Sequence, residues 1–228
     1  MISKISFKLF LYLFLIIYFL IGLFIYKDFG IGIEEHFQRQ NGFYWLNKLI
    51  SYTNYDDFKY LVNSKYQQIL LADPDLPDPE FFNFYGIIFD LPLAFIETFF
   101  DLKSSKFYFE IRHLFIFLIF FLNSIYFLKI LKNRFDNNSV IFLGLFFYIF
   151  SPRIFGDSFY NNKDILFLSI LTISISYLFV LFEKRKNKNL ILFCFFAALA
   201  TSTRIMGVFL PLMLFVFYFL EYLINKFS

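Results

Sequence analysis

Two polar stretches carry the residues that could do chemistry. The first is Asp28-Phe-Gly-Ile-Gly-Ile-Glu-Glu-His-Phe-Gln-Arg39, with three carboxylates, a histidine and an arginine just after an apolar run. The second, Ser151–Asp164, ends in Asn161-Asn-Lys-Asp164 just before another apolar run. Charges buried in lipid are costly unless paired, so ionisable groups held at the edge of a span are the natural place for a reaction. Adjacent carboxylates on a helix point about 100° apart. Glu34 and Glu35 would therefore divide the work, one as general base toward a substrate and the other as its support. The same pair equally suits a helix cap stabilised by the helix dipole. Asn161-Asn-Lys-Asp164 suits a cap opening the next helix, or a site where Lys163 and the helix N-terminus receive a phosphate. Arg112, Arg153 and Arg204 fit either snorkelling at the interface or binding of an anionic headgroup. His36 and His113 are too isolated for a metal motif, and Gly30-Ile-Gly32 lacks the third glycine of a dinucleotide fingerprint.

These residues need a scaffold, and the composition says which kind. Of 228 residues, 59% are hydrophobic, with several runs of the ~20 residues that cross a ~30 Å hydrocarbon core. A soluble globular domain is excluded. The net charge of +3 is scattered over many loops and marks no nucleic-acid partner. Cys194 stands alone, which rules out an intramolecular disulfide.

The spans expected are Phe7–Tyr26, Phe107–Leu128, Val140–Phe150 (extended by the residues that follow), Ile165–Phe182, Leu190–Thr203 and Ile205–Leu223. Between the first two lies a region, Lys27–Lys106, with twelve acidic and seven basic residues. Within it Phe37–Leu49 reads as an interfacial helix, with Phe43, Tyr44 and Trp45 suited to the headgroup layer. Ala72–Pro79 reads as a loop, because its three prolines stop a helix. Phe81–Phe100 is apolar enough to span but carries Asn83, Asp90, Pro92 and Glu97. If it crossed, Lys129/Lys132/Arg134 and the basic run 183–188 would fall outside. If it does not, both join Lys4 and Lys8 in the cytoplasm, as basic loops prefer. The expectation is thus an all-α polytopic membrane protein: about six transmembrane helices, with interfacial or re-entrant helices in a large first external loop, 27–106. Both termini are cytoplasmic. Glu34, Glu35, Arg112, His113, the 151–163 stretch and Arg204 share the external face.

Asp28-Phe-Gly-Ile-Gly-Ile-Glu-Glu-His-Phe after a first span resembles the acidic first external loop of GT-C membrane glycosyltransferases. The nearest groups are the protein O-mannosyltransferases of glycosyltransferase family 39 and the aminoarabinose transferases of lipid A. Ser151-Pro-Arg-Ile-Phe-Gly-Asp-Ser-Phe-Tyr-Asn-Asn-Lys-Asp164 is similar to their loop-to-helix segment, and Glu110-Ile-Arg-His-Leu and Thr201-Ser-Thr-Arg-Ile-Met-Gly also match family positions. The resemblance implies an inverting transfer of sugar from a polyprenyl-phosphate donor to a lipid, glycan or protein acceptor. The reaction would occur at the periplasmic or extracellular face of the plasma (inner) membrane. Glu34 takes the place of the family's first-loop base, often Asp, with Glu35 beside it. Asp164 would hold acceptor, sugar or a divalent cation, and Arg112, His113, Arg153, Lys163 and Arg204 would serve substrate or phosphate. Family members are usually longer, which implies that 1–228, one membrane module, is an N-terminal portion, a truncated reading frame or a core needing a partner, and that alone it would lack acceptor specificity or activity altogether. The rival class is a transporter or lipid-binding subunit. Transporters place ionisable groups at mid-membrane between repeated halves, whereas the charges here gather at one face and no repeat is evident.

Overall fold

Peptide groups in hydrocarbon must be hydrogen-bonded within their own segment, and each expected apolar run is helical in the structure. The structure, a computed structural model, describes residues 4–81 and 86–227, with side chains from residue 6 to 226. Asn83 and the side chain of Lys4 lie outside the described residues. Among those described there are ten α-helices, one short 3-10 turn and no strands.

The first helix, α1 (Lys4–Ile25), is followed by a nine-residue approach to α2 (Glu35–Ser51). Helices α3 (Asp56–Ala72) and α4 (Asp90–Phe99) complete the region before α5 (Ser105–Arg134). The 17-residue α3 was not foreseen, whereas Ala72–Pro79 does end it. At ten residues α4 is roughly 15 Å long, half of a bilayer core. The second half of the chain runs α6 (Asn138–Phe150), α7 (Pro152–Tyr160), α8 (Asp164–Lys184), α9 (Asn187–Thr203), the 3-10 turn Ile205–Val208, and α10 (Phe209–Phe227).

Four helical segments, in α1, α5, α8 and the 205–226 stretch, are long and apolar enough to cross a membrane. A fifth span forms if α6 and α7, bent by 53°, count as one. Pro152 causes the break: it has no N–H to continue the ladder, and Ser151 before it is pushed to an extended ψ of 121°. The remaining expected span, α9, has 17 residues and is roughly 25 Å long. The expectation of a polar loop across 151–164 is corrected on one point. Residues 152–160 are helical, with one turn of polar residues, Asn161–Lys163, left between α7 and α8.

The core lies where α8 packs against α5 and α9, and α8 is the most enclosed of the candidate spans. A second, smaller core of Phe43, Leu46, Ile50, Val62, Ile69 and Ala94 joins α2, α3 and α4. Gly42 lets α4 come close enough to α2: a Cβ there would meet the Asp90 carbonyl oxygen at 2.5 Å.

Candidate active site

The approach to α2 is held by aromatic stacking. Phe29 lies on Phe159 of α7 with ring centroids 4.3 Å apart, and Phe159 lies on Phe117 of α5 at 5.2 Å. Such pairs add about 0.5–1.5 kcal/mol each beyond the area they bury. They fix the chain that enters Glu34 against the two helices carrying the other polar residues.

Three layers of charge follow, from the interior outward. In the deepest, Asp90 opens α4 and receives the Arg112 guanidinium at 2.8 Å and the Asn162 amide at 3.1 Å. Asp90 and Arg112 are both buried. Burial pushes the Asp90 carboxyl up to about 6; Arg112 pulls it back, and the Glu35 charge raises it further.

In the middle layer, buried Glu35 accepts the Gly32 N–H at 2.6 Å and faces His113 Nε2 at 3.2 Å. A carboxylate partner favours the tautomer with the proton on Nε2. Glu35 is thus held on both sides, by its own loop and by α5.

The outer layer is open. Lys163 Nζ donates to both oxygens of Glu34, at 2.9 and 3.2 Å. Arg204, at the end of α9, is paired with Asp164. Asn161 accepts the N–H of Asp164 at 2.9 Å and of Lys163 at 3.3 Å, so it shapes the start of α8, the local role expected of Asn. Over this layer lies a cleft of about 470 Å³ lined by residues 31–35, Gln38, Tyr160, Asn161, Asn162 and Asp164. Small-molecule sites usually measure about 300–1,000 Å³.

Seven of the eight candidate residues therefore meet: Glu34, Glu35, Arg112, His113, Lys163, Asp164 and Arg204. Glu34, Glu35 and Asp164 line the cleft, and the four cationic or imidazole side chains hold its carboxylates or Asp90 beneath. Arg153 stands apart. It is 89% exposed and reaches only Asp157 of its own helix, at 3.8 Å. Sequence reasoning missed Asp90, Gln38, Tyr160 and Asn162 as site residues. For Asp90 a signal existed: a carboxylate in an apolar stretch demands a partner, and Arg112 is the next arginine along the chain. Among the described residues no three His, Cys, Asp or Glu side chains come together as a metal site.

These features define a class, that of helical membrane proteins with an acidic, cation-flanked cleft at one end of the spans. Residues 92–226, more than half of the chain, match the family described as dolichyl-phosphate-mannose-protein mannosyltransferase, and the chain belongs to that family of membrane glycosyltransferases. No curated protein and no solved structure matches the chain. The matched region contains Arg112, His113, Lys163, Asp164 and Arg204 but stops short of Glu34, Glu35 and Asp90.

Proposed function

We propose that the cleft transfers a sugar from a polyprenyl-phosphate donor to an acceptor, with inversion, at the external face of the membrane. The observation that carries this reading is the ion pair between Glu34 and Lys163, 129 residues apart, at the mouth of the cleft. It joins the part of the site outside the family match to the part within it.

Glu34 is the better base of the two. Its carboxylate is 61% exposed, and a lysine is its partner. Both oxygens of Glu35 are engaged in the interior, so Glu35 positions the loop. A donor phosphate entering the cleft competes for Lys163 and leaves Glu34 facing the acceptor. Glu34 then takes the proton from the acceptor hydroxyl or amine as that atom attacks the anomeric carbon. The carbon–oxygen bond to the lipid phosphate breaks, and the phosphate departs with the electron pair. Lys163 and Arg204 offset the charge that grows on it. Phosphate is a good leaving group, so no general acid is required.

On this reading residues 1–228 act as one membrane module, with 27–106 as the first external loop, α4 lying at the surface and α9 completing six spans. Both termini are then cytoplasmic, and the membrane is the plasma (inner) membrane. The acceptor is a lipid, glycan or protein reached from the periplasmic or extracellular side. Glu34→Gln is the test, because it keeps shape and hydrogen bonding but removes the proton acceptor. Turnover of a polyprenyl-phosphate sugar is expected to fall about 10²–10⁴-fold with donor binding retained, and Glu35→Gln to lose less. Normal turnover in both variants sinks the assignment.

A further inference from the structure

A second cavity, of about 750 Å³, opens beside α2 on a different face from the cleft. His36 and Arg39 line it, whereas Glu34, Glu35 and Gln38 line the cleft, so one turn of α2 forms a wall of each. The far walls come from α3, with Ser64, Lys65 and Gln68, and from the α4–α5 turn and Tyr108.

The charges of this cavity are built in and matched. Arg39 holds Glu97 with two hydrogen bonds, at 2.5 and 3.0 Å, and lies 3.8 Å over the Tyr108 ring. Lys65, buried, donates to the Leu102 carbonyl at 2.7 Å and faces Asp101 at 3.5 Å. Lys103 also reaches Asp101, at 3.2 Å, and His36 pairs with Asp73 at 3.0 Å. Asp101 takes a left-handed backbone, φ 45°, to present its carboxylate between the two lysines. An anion entering here would compete with a carboxylate for every cation. A neutral polyhydroxylated ligand would not, because each hydroxyl can donate to a carboxylate lone pair and accept from a remaining N–H.

We propose that this cavity is a binding subsite for a neutral saccharide, the glycan part of the acceptor or product. Its role in transfer rests on the reading of the cleft given above; the binding does not. Gln68 and Ser64 supply neutral hydrogen bonds from α3, and Asp73 and Asp101 accept from ligand hydroxyls.

The experiment is calorimetric titration of the full chain in lipid nanodiscs with two neutral disaccharides, mannobiose and maltose, and with inorganic phosphate. At least one disaccharide is expected to bind. Its affinity should drop tenfold or more in Asp73→Asn and in the double variant Ser64→Ala/Gln68→Ala, whose side chains face solvent or rim positions and are not part of either core. Glu34→Gln should bind the disaccharide normally. Three results overturn the proposal: no saccharide binding by folded wild-type protein, equal binding by both cavity variants, or displacement of bound disaccharide by phosphate. A chain that transfers sugar yet binds none here would refute this subsite and leave the cleft assignment standing. Saccharide binding in a chain whose Glu34→Gln and Glu35→Gln variants both turn over normally would do the reverse.

Discussion

The buried pair Asp90–Arg112 gives a prediction with a distinctive pH signature. Removing one member strands the other in the interior, which costs about 3–5 kcal/mol, whereas removing both often costs little. Arg112→Met and Asp90→Asn are therefore each expected to destabilise strongly. The double variant should recover most of the loss. The side-chain oxygen left by Asp90→Asn could still accept the Asn162 amide, which Asp90 receives at 3.1 Å. The singles should differ with pH. Asp90 has its carboxyl raised from 3.8 to about 6 in the folded protein. The folded state then binds the proton more tightly than the unfolded one, so stability falls as pH rises from about 4 to about 6 and is flat above. The full span of that fall is about 3 kcal/mol at 1.36 kcal/mol per unit. Without Arg112 the carboxyl loses the cation that holds it down and protonates more readily, so Arg112→Met should regain stability on acidification. Asp90→Asn leaves no carboxyl at that position to titrate, so that variant should not. Reversible unfolding in micelles at about pH 4 and about pH 7.5 spans that window and measures all four forms. A loss in Arg112→Met that is the same at both values, or a double variant as unstable as the sum of the singles, would refute the reasoning.

Lys163→Ala should raise the KM for a polyprenyl-phosphate sugar about 10–100-fold, the worth of a hydrogen bond to a charged group; donor titration checks this, and an unchanged KM removes Lys163 from the phosphate site. Phe159→Ala should destabilise by about 3–5 kcal/mol and free residues 27–34 for proteolysis, because Phe159 is the middle ring of the stack; an unshifted unfolding midpoint argues against it. On a Cys194→Ser background, Asp78→Cys and Arg153→Cys should react with an impermeant maleimide from one side and Asn187→Cys from the other. Arg153 and Asn187 are exposed, so labelling of positions 153 and 187 from the same side would reject the topology.

What could be read from the sequence was what depends on neighbours along the chain. The length of an apolar run sets a helix, so the runs at α1 and α8 were legible to within a few residues of their ends, whereas α5 continues past the expected Leu128 to Arg134. The acidic pair Glu34-Glu35 stood out in the sequence as two adjacent carboxylates beside a span, a pattern that suits a base with its support and a helix cap alike. The α7 helix was not, since Arg153, Asp157 and Asn161 make it look polar while Phe155 and Phe159 bury its other side. Nor was α3, whose burial is confined to Val62, Lys65 and Ile69 and depends on α2 and α4 packing on it. The choice between Glu34 and Glu35 was left open for the same reason. Neighbouring carboxylates look alike until a distant His113 takes one inward and Lys163 meets the other at the surface.

The family match begins two residues after Asp90, and in the cleft and the two layers beneath it the contacts across that boundary share one polarity, whereas Arg39–Glu97 and Lys65–Asp101, beside the second cavity, run the other way. Glu34, Glu35 and Asp90 come from before it; Lys163, His113, Arg112 and Asn162 come from after it. The cations and imidazole on the matched side would be left without carboxylates at the two deepest layers if the first 91 residues were absent, and a stranded buried charge costs several kcal/mol. The region before the match is thus more than an anchor for the spans. It supplies Glu34, Glu35 and Asp90, three of the four carboxylates of the candidate site, while Asp164 and the cations lie in the matched region. On the proposed reading the burial gradient divides the tasks: buried Asp90 and Glu35 hold the geometry, and Glu34, 61% exposed beside Lys163, meets the substrate.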